Sequence, residues 1–151
     1  MIKYLTDKKE IKKEELLNFI YSVDKDFNPR LVGRVNIEEW INKIFNKAEI
    51  VVAQKDKTIL GLSVFYANNE IEHTAYIAYL AVSTTSRKQG IASQILSNCF
   101  DICKDKDMKR IGVHTNNPNA KKLYEKNGFK VSEHNYLNEQ NIIRYFLEKQ
   151  L

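Results

Sequence analysis

One polar segment of this sequence combines residue types that hold a diphosphate. It follows an apolar stretch ending at Val82, and it includes the run Arg87-Lys88-Gln89-Gly90-Ile91-Ala92-Ser93, where a helical pattern begins. The first turn of a helix presents unpaired N–H groups and a partial positive charge. Gly90 has no side chain, so a ligand can approach the backbone there. The pattern R-x-x-G-x-A, which is neither a P-loop nor a dinucleotide motif, predicts a pyrophosphate site. The alternative is a basic loop that merely starts a helix.

A second segment with chemically useful side chains comes about 30 residues later. It reads Asn119-Ala120-Lys121-Lys122-Leu123-Tyr124-Glu125-Lys126-Asn127-Gly128-Phe129. Asn117 can cap a helix here, Pro118 suits its first turn, and Gly128 suits a left-handed turn at its end. The hydroxyl of Tyr124 can donate a proton, but Tyr124 also lies four residues after Ala120, a spacing typical of core packing.

The cysteines and histidines do not form a metal-binding pattern. Cys99 and Cys103 are four residues apart, which is not the C-x2-C spacing. The three histidines, His73, His114 and His134, are far apart in the sequence. We therefore expect no metal site. We expect the cysteines to be core residues on the inner face of a helix, where they make poor acyl carriers.

The elements that position these segments follow from the hydrophobic periodicity. Two helices are predicted, over 8–21 and from Asn36 to Phe45, with a loop at 22–35 between them. Strands 50–53 and 58–67 form a hairpin, in which Gly61 predicts a bulge or close packing. The remaining elements are a long strand at 72–82, a helix at 90–105, a strand at 109–115, a short helix at 118–126, and strands at roughly 129–136 and 141–148. This order, α-α-β-β-β-α-β-α-β-β, predicts a mixed sheet with helices packed on it.

Composition limits the class of protein. The chain has 151 residues, which suits one domain spanning 1–151. Its 24 Lys and Arg exceed its 19 Asp and Glu by 5. The lysines are mixed with acids, as on a solvated surface, so a nucleic-acid-binding module is the weaker alternative. No apolar stretch reaches the ~20 residues that span a bilayer, and the first residues do not resemble a signal peptide. We expect a cytoplasmic protein with neither nucleic acid nor membrane as a partner.

The two motifs together, in this strand order, resemble the GNAT N-acetyltransferase superfamily. The resemblance covers residues 49–148 and includes the strand end Leu80-Ala81-Val82, whereas the first 48 residues match only in being two helices. It implies an α/β (α+β) fold with a mixed, mostly antiparallel sheet of about six to seven strands, flanked by four helices. The strands 72–82 and 109–115 would form a central, splayed parallel pair.

The resemblance also implies acetyl-CoA as co-substrate, bound where the parallel strands splay. Backbone groups of Leu80, Ala81 and Val82 would pair with the pantetheine arm, and Asn119 would contact that arm. Tyr124 would face the thioester sulfur and protonate the leaving thiolate, while a strand N–H near Leu80 would stabilise the oxyanion. The pyrophosphate would be held by the loop and helix start, comprising Arg87, Lys88, Gln89, Gly90, Ile91, Ala92 and Ser93.

The base that deprotonates the acceptor amine is not evident from the sequence. The carboxylate position of many relatives falls near Tyr76, which cannot act as a base at its ordinary pKa of about 10. Glu72, His73 and Tyr79 are nearby candidates, although each is more simply interpreted as an ordinary strand residue. A water chain to solvent is the other route.

The expected acceptor is a primary amine of a small molecule, such as an amino sugar or a nucleotide-linked amino sugar. The resemblance places the 22–35 loop beside the acceptor groove, where its side chains either bind the acceptor or are simply solvated: Asp24, Asp26, Phe27, Asn28, Arg30 and Arg34. Two alternatives stay open, a protein or peptide N-acetyltransferase and a non-catalytic acyl-CoA-binding protein. Family members are often dimers, so a homodimer is a further expectation.

Overall fold

A computed structural model describes residues 1–27, 30–137 and 142–151. The described residues form seven strands and four helices. In chain order these are β1 (Lys3–Leu5), α1 (Lys13–Val23), α2 (Ile37–Lys47), β2 (Glu49–Lys55), β3 (Thr58–Asn69), β4 (Thr74–Val82), α3 (Ile91–Asp105), β5 (Arg110–Thr115), α4 (Pro118–Lys126), β6 (Lys130–Leu137) and β7 (Ile142–Gln150).

All seven strands lie in one sheet, in the order β1-β2-β3-β4-β5-β7-β6. Only β4 and β5 run parallel, and every other neighbouring pair is antiparallel. The predicted mixed sheet with a central parallel pair and four helices is confirmed. The predicted element order was wrong in one respect, because it lacked β1. This strand has three residues, too few for a periodic pattern, and it exists because β2 provides a pairing edge.

The sheet separates two hydrophobic cores. The core on one face is covered by α3 and includes Ile91, Ile95, Cys99, Ile111 and Tyr124. The core on the other face is covered by α1 and α2 and includes Leu16, Ile20, Ile41, Ile44 and Val64. Both cysteines are fully buried on the inner face of α3, as the sequence predicted.

A bulge in β4 changes which face its side chains occupy. The register between β3 and β4 skips one residue of β4, Ala78. Ile77 belongs to the core beneath α3, whereas Tyr79, two residues later, belongs to the core beneath α1 and α2. Residues two apart in a regular strand share a face, so the extra residue moves every later side chain of β4 to the opposite face.

Turn and cap residues have the roles that the sequence predicted. The side chains of Asn36 and Asn117 cap α2 and α4 by accepting backbone N–H groups of the first turn. Gly128 ends α4 with a φ of +96°. Beside Gly61 the β2–β3 register shifts by one residue, and a Cβ at Gly61 would lie 2.8 Å from Ile95 Cδ1. The predicted bulge and the predicted close packing are therefore both present.

The N-terminal region differs from the predicted helix over 8–21. Residues Lys8–Glu10 form one 3-10 turn, because Asp7 caps it through the backbone N–H of Lys9, and α1 begins only at Lys13. The predicted 22–35 loop contains a second 3-10 turn at Asp24–Asp26, and Asn28 lies outside the described residues. No helix in the described part of the chain is long and apolar enough to cross a membrane.

Candidate active site

The parallel strands separate at one end. The β4–β5 pairing begins at Thr74 with Arg110 and stops at Ile77 with Val113, whereas β4 stays paired with β3 as far as Val82. From Ala78 onward, β4 therefore has no strand partner on its β5 side within the described residues. The predicted residues Leu80, Ala81 and Val82 lie on this open edge, where an extended ligand can form strand-like hydrogen bonds.

The open edge leads directly to the N-terminus of α3. Gly90 precedes the helix with a φ of +76°, and no side chain in the described ranges caps the first turn. Gln94 is the first residue to donate to the carbonyl of Gly90, so the N–H groups of Ile91, Ala92 and Ser93 precede the helical ladder. The Asn caps of α2 and α4 satisfy such groups. At α3 no side chain of the described residues satisfies these N–H groups, so they can bind a ligand.

A cavity of about 170 Å³ lies against this helix start. Its walls contain six of the seven predicted residues of the phosphate-binding segment, and Gln89 is the one that does not line it. The lining residues are Val82, Ser86, Arg87, Lys88, Gly90, Ile91, Ala92, Ser93, Leu123 and Lys126. Lys126 was missed at the sequence level, although its position in the last turn of α4 places its charge opposite the loop.

The Arg87 side chain joins two loops. Its Nε donates to the carbonyl of Val82 at 3.2 Å, and its Nη2 lies 3.0 Å from Oδ2 of Asp26. The guanidinium therefore connects the predicted phosphate-binding segment to the turn between α1 and α2. Lys88 adopts a φ of +65°, which supports the sharp path of the chain into Gly90.

Tyr124 is buried on the α3 face, with its ring edge-on to Phe129 at 5.3 Å between centroids. Burial raises the pKa of the Tyr124 hydroxyl, and electrostatic interaction with Cys99 and Tyr76 adds to the rise. The phenol therefore keeps its proton at neutral pH, as a proton donor must.

The two cysteines of α3 are not candidates for a nucleophile. Burial raises the pKa of the Cys99 and Cys103 thiols to about 12, so neither forms a nucleophilic thiolate near neutral pH.

Asn119 lies in the first turn of α4, at the end of that helix that follows β5. Its backbone N–H donates to the side chain of Asn117, and its own side chain is exposed.

At the other end of α4, Asn127 Nδ2 donates to Ser93 Oγ at 3.1 Å. This bond ties α4 to the beginning of α3 and fixes the two helix ends relative to each other.

The comparison with protein families identifies this arrangement. The model of the acetyltransferase (GNAT) family matches residues 13–129. The chain belongs to the GNAT acetyltransferase family. The match extends into α1 and α2, which the sequence-level resemblance had compared only as two helices.

Solved GNAT structures share the whole architecture. An acetyltransferase of the GNAT family from Streptococcus pneumoniae superposes with a TM-score of 0.80 at 18% identity, covering 100% of this chain and 99% of that one. A GNAT family acetyltransferase from Elizabethkingia anophelis with acetyl-CoA bound gives a TM-score of 0.70 at 20% identity, covering 99% of this chain and 98% of that one. At these identities the likeness establishes the fold.

One curated relative is closer in sequence but longer. The GCN5-related N-acetyltransferase 6, chloroplastic, of Arabidopsis thaliana is 33% identical over 94 residues, or 60% of this chain. The match covers 32% of that relative, so it spans only about a third of the relative's length.

The candidate bases of this GNAT chain are not equivalent in position. Glu72 and His73 lie in the turn before β4, four or more residues from the last β4–β5 pair at Ile77, which is about 13 Å of strand. The His73 side chain is already hydrogen-bonded there, with Nδ1 at 3.1 Å from the carbonyl of Asp107.

The third candidate, Tyr79, points into the α1–α2 core, where its ring contacts Phe27 and Trp40. Burial raises the pKa of the Tyr79 hydroxyl, and the nearby carboxylates of Asp24 and Asp26 raise it further. The geometry favours none of the three.

A contact that sequence reasoning missed lies at the fork, the point after Ile77 and Val113 where β4 and β5 separate. The hydroxyl of Tyr76 on β4 is 2.7 Å from Nδ1 of His114 on β5. The two residues are 38 positions apart, and the sequence alone could indicate their contact only through the register of the parallel pair. His114 had been considered only as a metal ligand.

The loop between α1 and α2 is organised by Asp24. Its carboxylate is buried and accepts the N–H groups of Leu31 and Val32 at 2.7 and 3.1 Å, and Nε of Arg30 at 3.1 Å. Asp24 therefore holds the loop together. Arg34 Nε donates to the carbonyl of Arg30, and no carboxylate pairs with Arg34 among the described residues.

Replacing Asp24 will destabilise the fold. Asp24→Ala leaves two backbone N–H groups near the protein interior without their acceptor, and we expect the free energy of unfolding to fall by about 2–4 kcal/mol. Urea denaturation measures the change. Asp101→Ala, at an exposed position of α3, is the matched control and should change stability by less than about 0.5 kcal/mol. Equal stability of the two variants would contradict the role given to Asp24.

Proposed function

We propose that this GNAT protein transfers the acetyl group of acetyl-CoA directly to a primary amine of a small molecule. The observation that carries the proposal is the parting of β4 from β5 after Ile77, which opens a strand edge that runs to the uncapped start of α3. An extended arm with a diphosphate at one end fits that geometry. The acetyl-CoA-bound relative from Elizabethkingia anophelis, which has the same fold, supports this choice of co-substrate.

Each proposed contact has a physical reason. The N–H groups of Ile91, Ala92 and Ser93, together with the charges of Lys88 and Lys126, bind the pyrophosphate. The backbone of Leu80, Ala81 and Val82 pairs with the pantetheine arm, and Asn119 contacts that arm from α4. In the reaction, a β4 N–H near Leu80 stabilises the oxyanion and Tyr124 protonates the thiolate.

The acceptor enters from the α1–α2 face. Of the two arginines in the intervening loop, Arg30 is neutralised by Asp24, and Arg34 has no carboxylate partner among the described residues. Arg34 is therefore suited to a phosphate or carboxylate carried by the acceptor, such as an amino sugar linked to a nucleotide. A protein or peptide amine is the alternative acceptor.

A panel of primary amines tests the proposal. Purified protein is mixed with acetyl-CoA and each amine, including free amino sugars, nucleotide-linked amino sugars and short peptides, and the released thiol is followed optically. We expect one amino-sugar class to react at least ~10-fold faster than the peptides. Preference for peptide N-termini would replace the small-molecule acceptor with a protein one.

The same panel distinguishes the non-catalytic alternative. If acetyl-CoA binds in calorimetry but no amine in a broad panel releases thiol, the protein is an acyl-CoA-binding protein and the catalytic proposal fails. Absence of acetyl-CoA binding would contradict both the catalytic proposal and the acyl-CoA-binding alternative. A homodimer remains part of the proposal, and sedimentation measures it independently.

A further inference from the structure

Tyr76 and His114 meet where β4 and β5 part. The last residue pair of the two strands is Ile77 with Val113, so Tyr76 comes one residue before the fork and His114 one residue after Val113. The Tyr76 hydroxyl and His114 Nδ1 are 2.7 Å apart, and the imidazole packs on Phe146 at 4.7 Å between centroids. Two side chains from different strands therefore form one hydrogen-bonded unit at the base of the opening.

This unit lies across the sheet from Tyr124. Ile77 packs in the core beneath α3, and Tyr76 precedes it in the regular part of β4, so Tyr76 projects toward the other face. Tyr124 belongs to the core beneath α3. The two phenols are nevertheless close enough for Tyr76 to influence the pKa of Tyr124. A ligand bound between the separated strands β4 and β5 would therefore have the Tyr76 hydroxyl on one face of the sheet and the Tyr124 hydroxyl on the other.

The surroundings of His114 keep its imidazole neutral. Partial burial of the largely exposed imidazole lowers its pKa from the ordinary value of 6.5, the charge of Arg144 on β7 lowers it further, and the charge of Glu133 on β6 raises it. Burial raises the pKa of Tyr76, with Arg144 and His114 opposing the rise. At neutral pH the pair is thus an uncharged phenol beside an uncharged imidazole, an arrangement that can accept one proton.

Building on the proposed function, we propose that Tyr76 and His114 are the proton-accepting pair of the reaction. The Tyr76 oxygen takes a proton from the acceptor ammonium while the Tyr76 hydroxyl proton moves to His114 Nδ1. Tyr76 is then the catalytic residue that touches the acceptor, and His114 acts through it. The pair includes Tyr76, the residue nearest to the position at which the family resemblance implies a carboxylate base.

The protons and electrons of the step balance. His114 becomes an imidazolium, and the lone pair of the neutral amine forms the C–N bond at the thioester carbonyl. The C–S bond then breaks, and the thiolate takes a proton from Tyr124. The second amine proton restores Tyr124, and His114 returns its proton to solvent. The net products are an amide, a thiol and one proton.

The test compares His114→Gln and Tyr76→Phe with wild type, using the fastest amine of the panel. At about pH 7 we expect kcat/KM to fall roughly 100-fold in each variant, with the Kd of acetyl-CoA within about 3-fold of wild type. Because the acceptor amine loses its own proton in alkaline solution, the deficit should shrink steadily toward about pH 9.5. Added imidazole should partly restore His114→Gln.

The pH signature separates chemistry from structure. A merely structural role of His114 gives a deficit that is the same at every pH, and such a result would overturn the proposal. His73→Gln, in the turn before β4 and hydrogen-bonded to Asp107, is the matched control and should keep the wild-type rate. Full activity of His114→Gln at about pH 7 would also overturn the proposal while leaving the acetyltransferase assignment intact.

A second measurement requires no acceptor. Nitrogen NMR of the His114 ring should show an unprotonated Nδ1 at about pH 7, and Tyr76→Phe should shift that signal. A cationic His114 at this pH, or an Nδ1 signal that Tyr76→Phe does not shift, would contradict the proposal that Tyr76 and His114 act as a proton-accepting pair. Absence of transfer by wild type with every amine would instead count against the proposed function itself.

Discussion

Gly90→Asp is expected to weaken acetyl-CoA binding by roughly 100-fold or more, equivalent to about 3 kcal/mol. The position precedes α3 with a φ of +76°, and a Cβ built there meets nothing within 4 Å. The substitution therefore causes no steric clash. It places a carboxylate beside the N–H groups proposed to hold the pyrophosphate. Two negative charges about 4 Å apart near a protein surface repel by about 4 kcal/mol. Calorimetry measures the affinity directly.

Gly90→Asn separates the charge from the backbone effect. Asparagine has nearly the shape of aspartate and tolerates positive φ equally well, but it is neutral. We expect its Kd to rise less than about 5-fold, and acetyl-CoA should raise the melting temperature of Gly90→Asn nearly as much as that of wild type. Equal losses in the two variants would show that backbone strain decides the affinity. Unchanged binding in Gly90→Asp would remove the pyrophosphate from this helix start.

Local sequence signals predicted the parts of the fold that depend on neighbouring residues. Asn117, Pro118 and Gly128 fix the ends of α4 through caps and a left-handed turn, and each of these is chosen by residue type within a few positions. Gly61 marked a close approach, because a Cβ there would lie 2.8 Å from Ile95 Cδ1 and that side chain would have to shift. Strand β1 was missed because three residues carry no period and pairing alone defines them.

The features that sequence reasoning missed depend on register. The bulge at Ala78 leaves no mark in composition, yet it moves Tyr79 into the α1–α2 core and away from the base role considered for it. The contact of Tyr76 with His114 requires a parallel pair whose alignment is set by distant packing. The Arg87–Asp26 bond joins loops 61 positions apart, and a charge pattern cannot specify which acid an arginine meets.

Tyr124→Phe should lower kcat by about 100-fold or more while leaving the Kd of acetyl-CoA within about 3-fold of wild type. The phenol is the group proposed to protonate the leaving thiolate, and its raised pKa keeps the proton on it at neutral pH. Phenylalanine preserves the ring that packs edge-on against Phe129. The hydroxyl has no hydrogen-bond partner among the described residues, so its removal leaves no buried group unsatisfied and stability should be maintained.

Tyr4→Phe, on the first strand at the far edge of the sheet, is the matched control for loss of a tyrosine hydroxyl. It should leave both kcat and the Kd unchanged. Rates with acetyl donors of different leaving groups provide the sharper test, because a donor whose thiolate needs no proton makes the Tyr124 hydroxyl dispensable. We therefore expect the Tyr124→Phe deficit to shrink with an acidic aryl thioester. A deficit equally large with both donors would mean that Tyr124 positions the cofactor and protonates nothing.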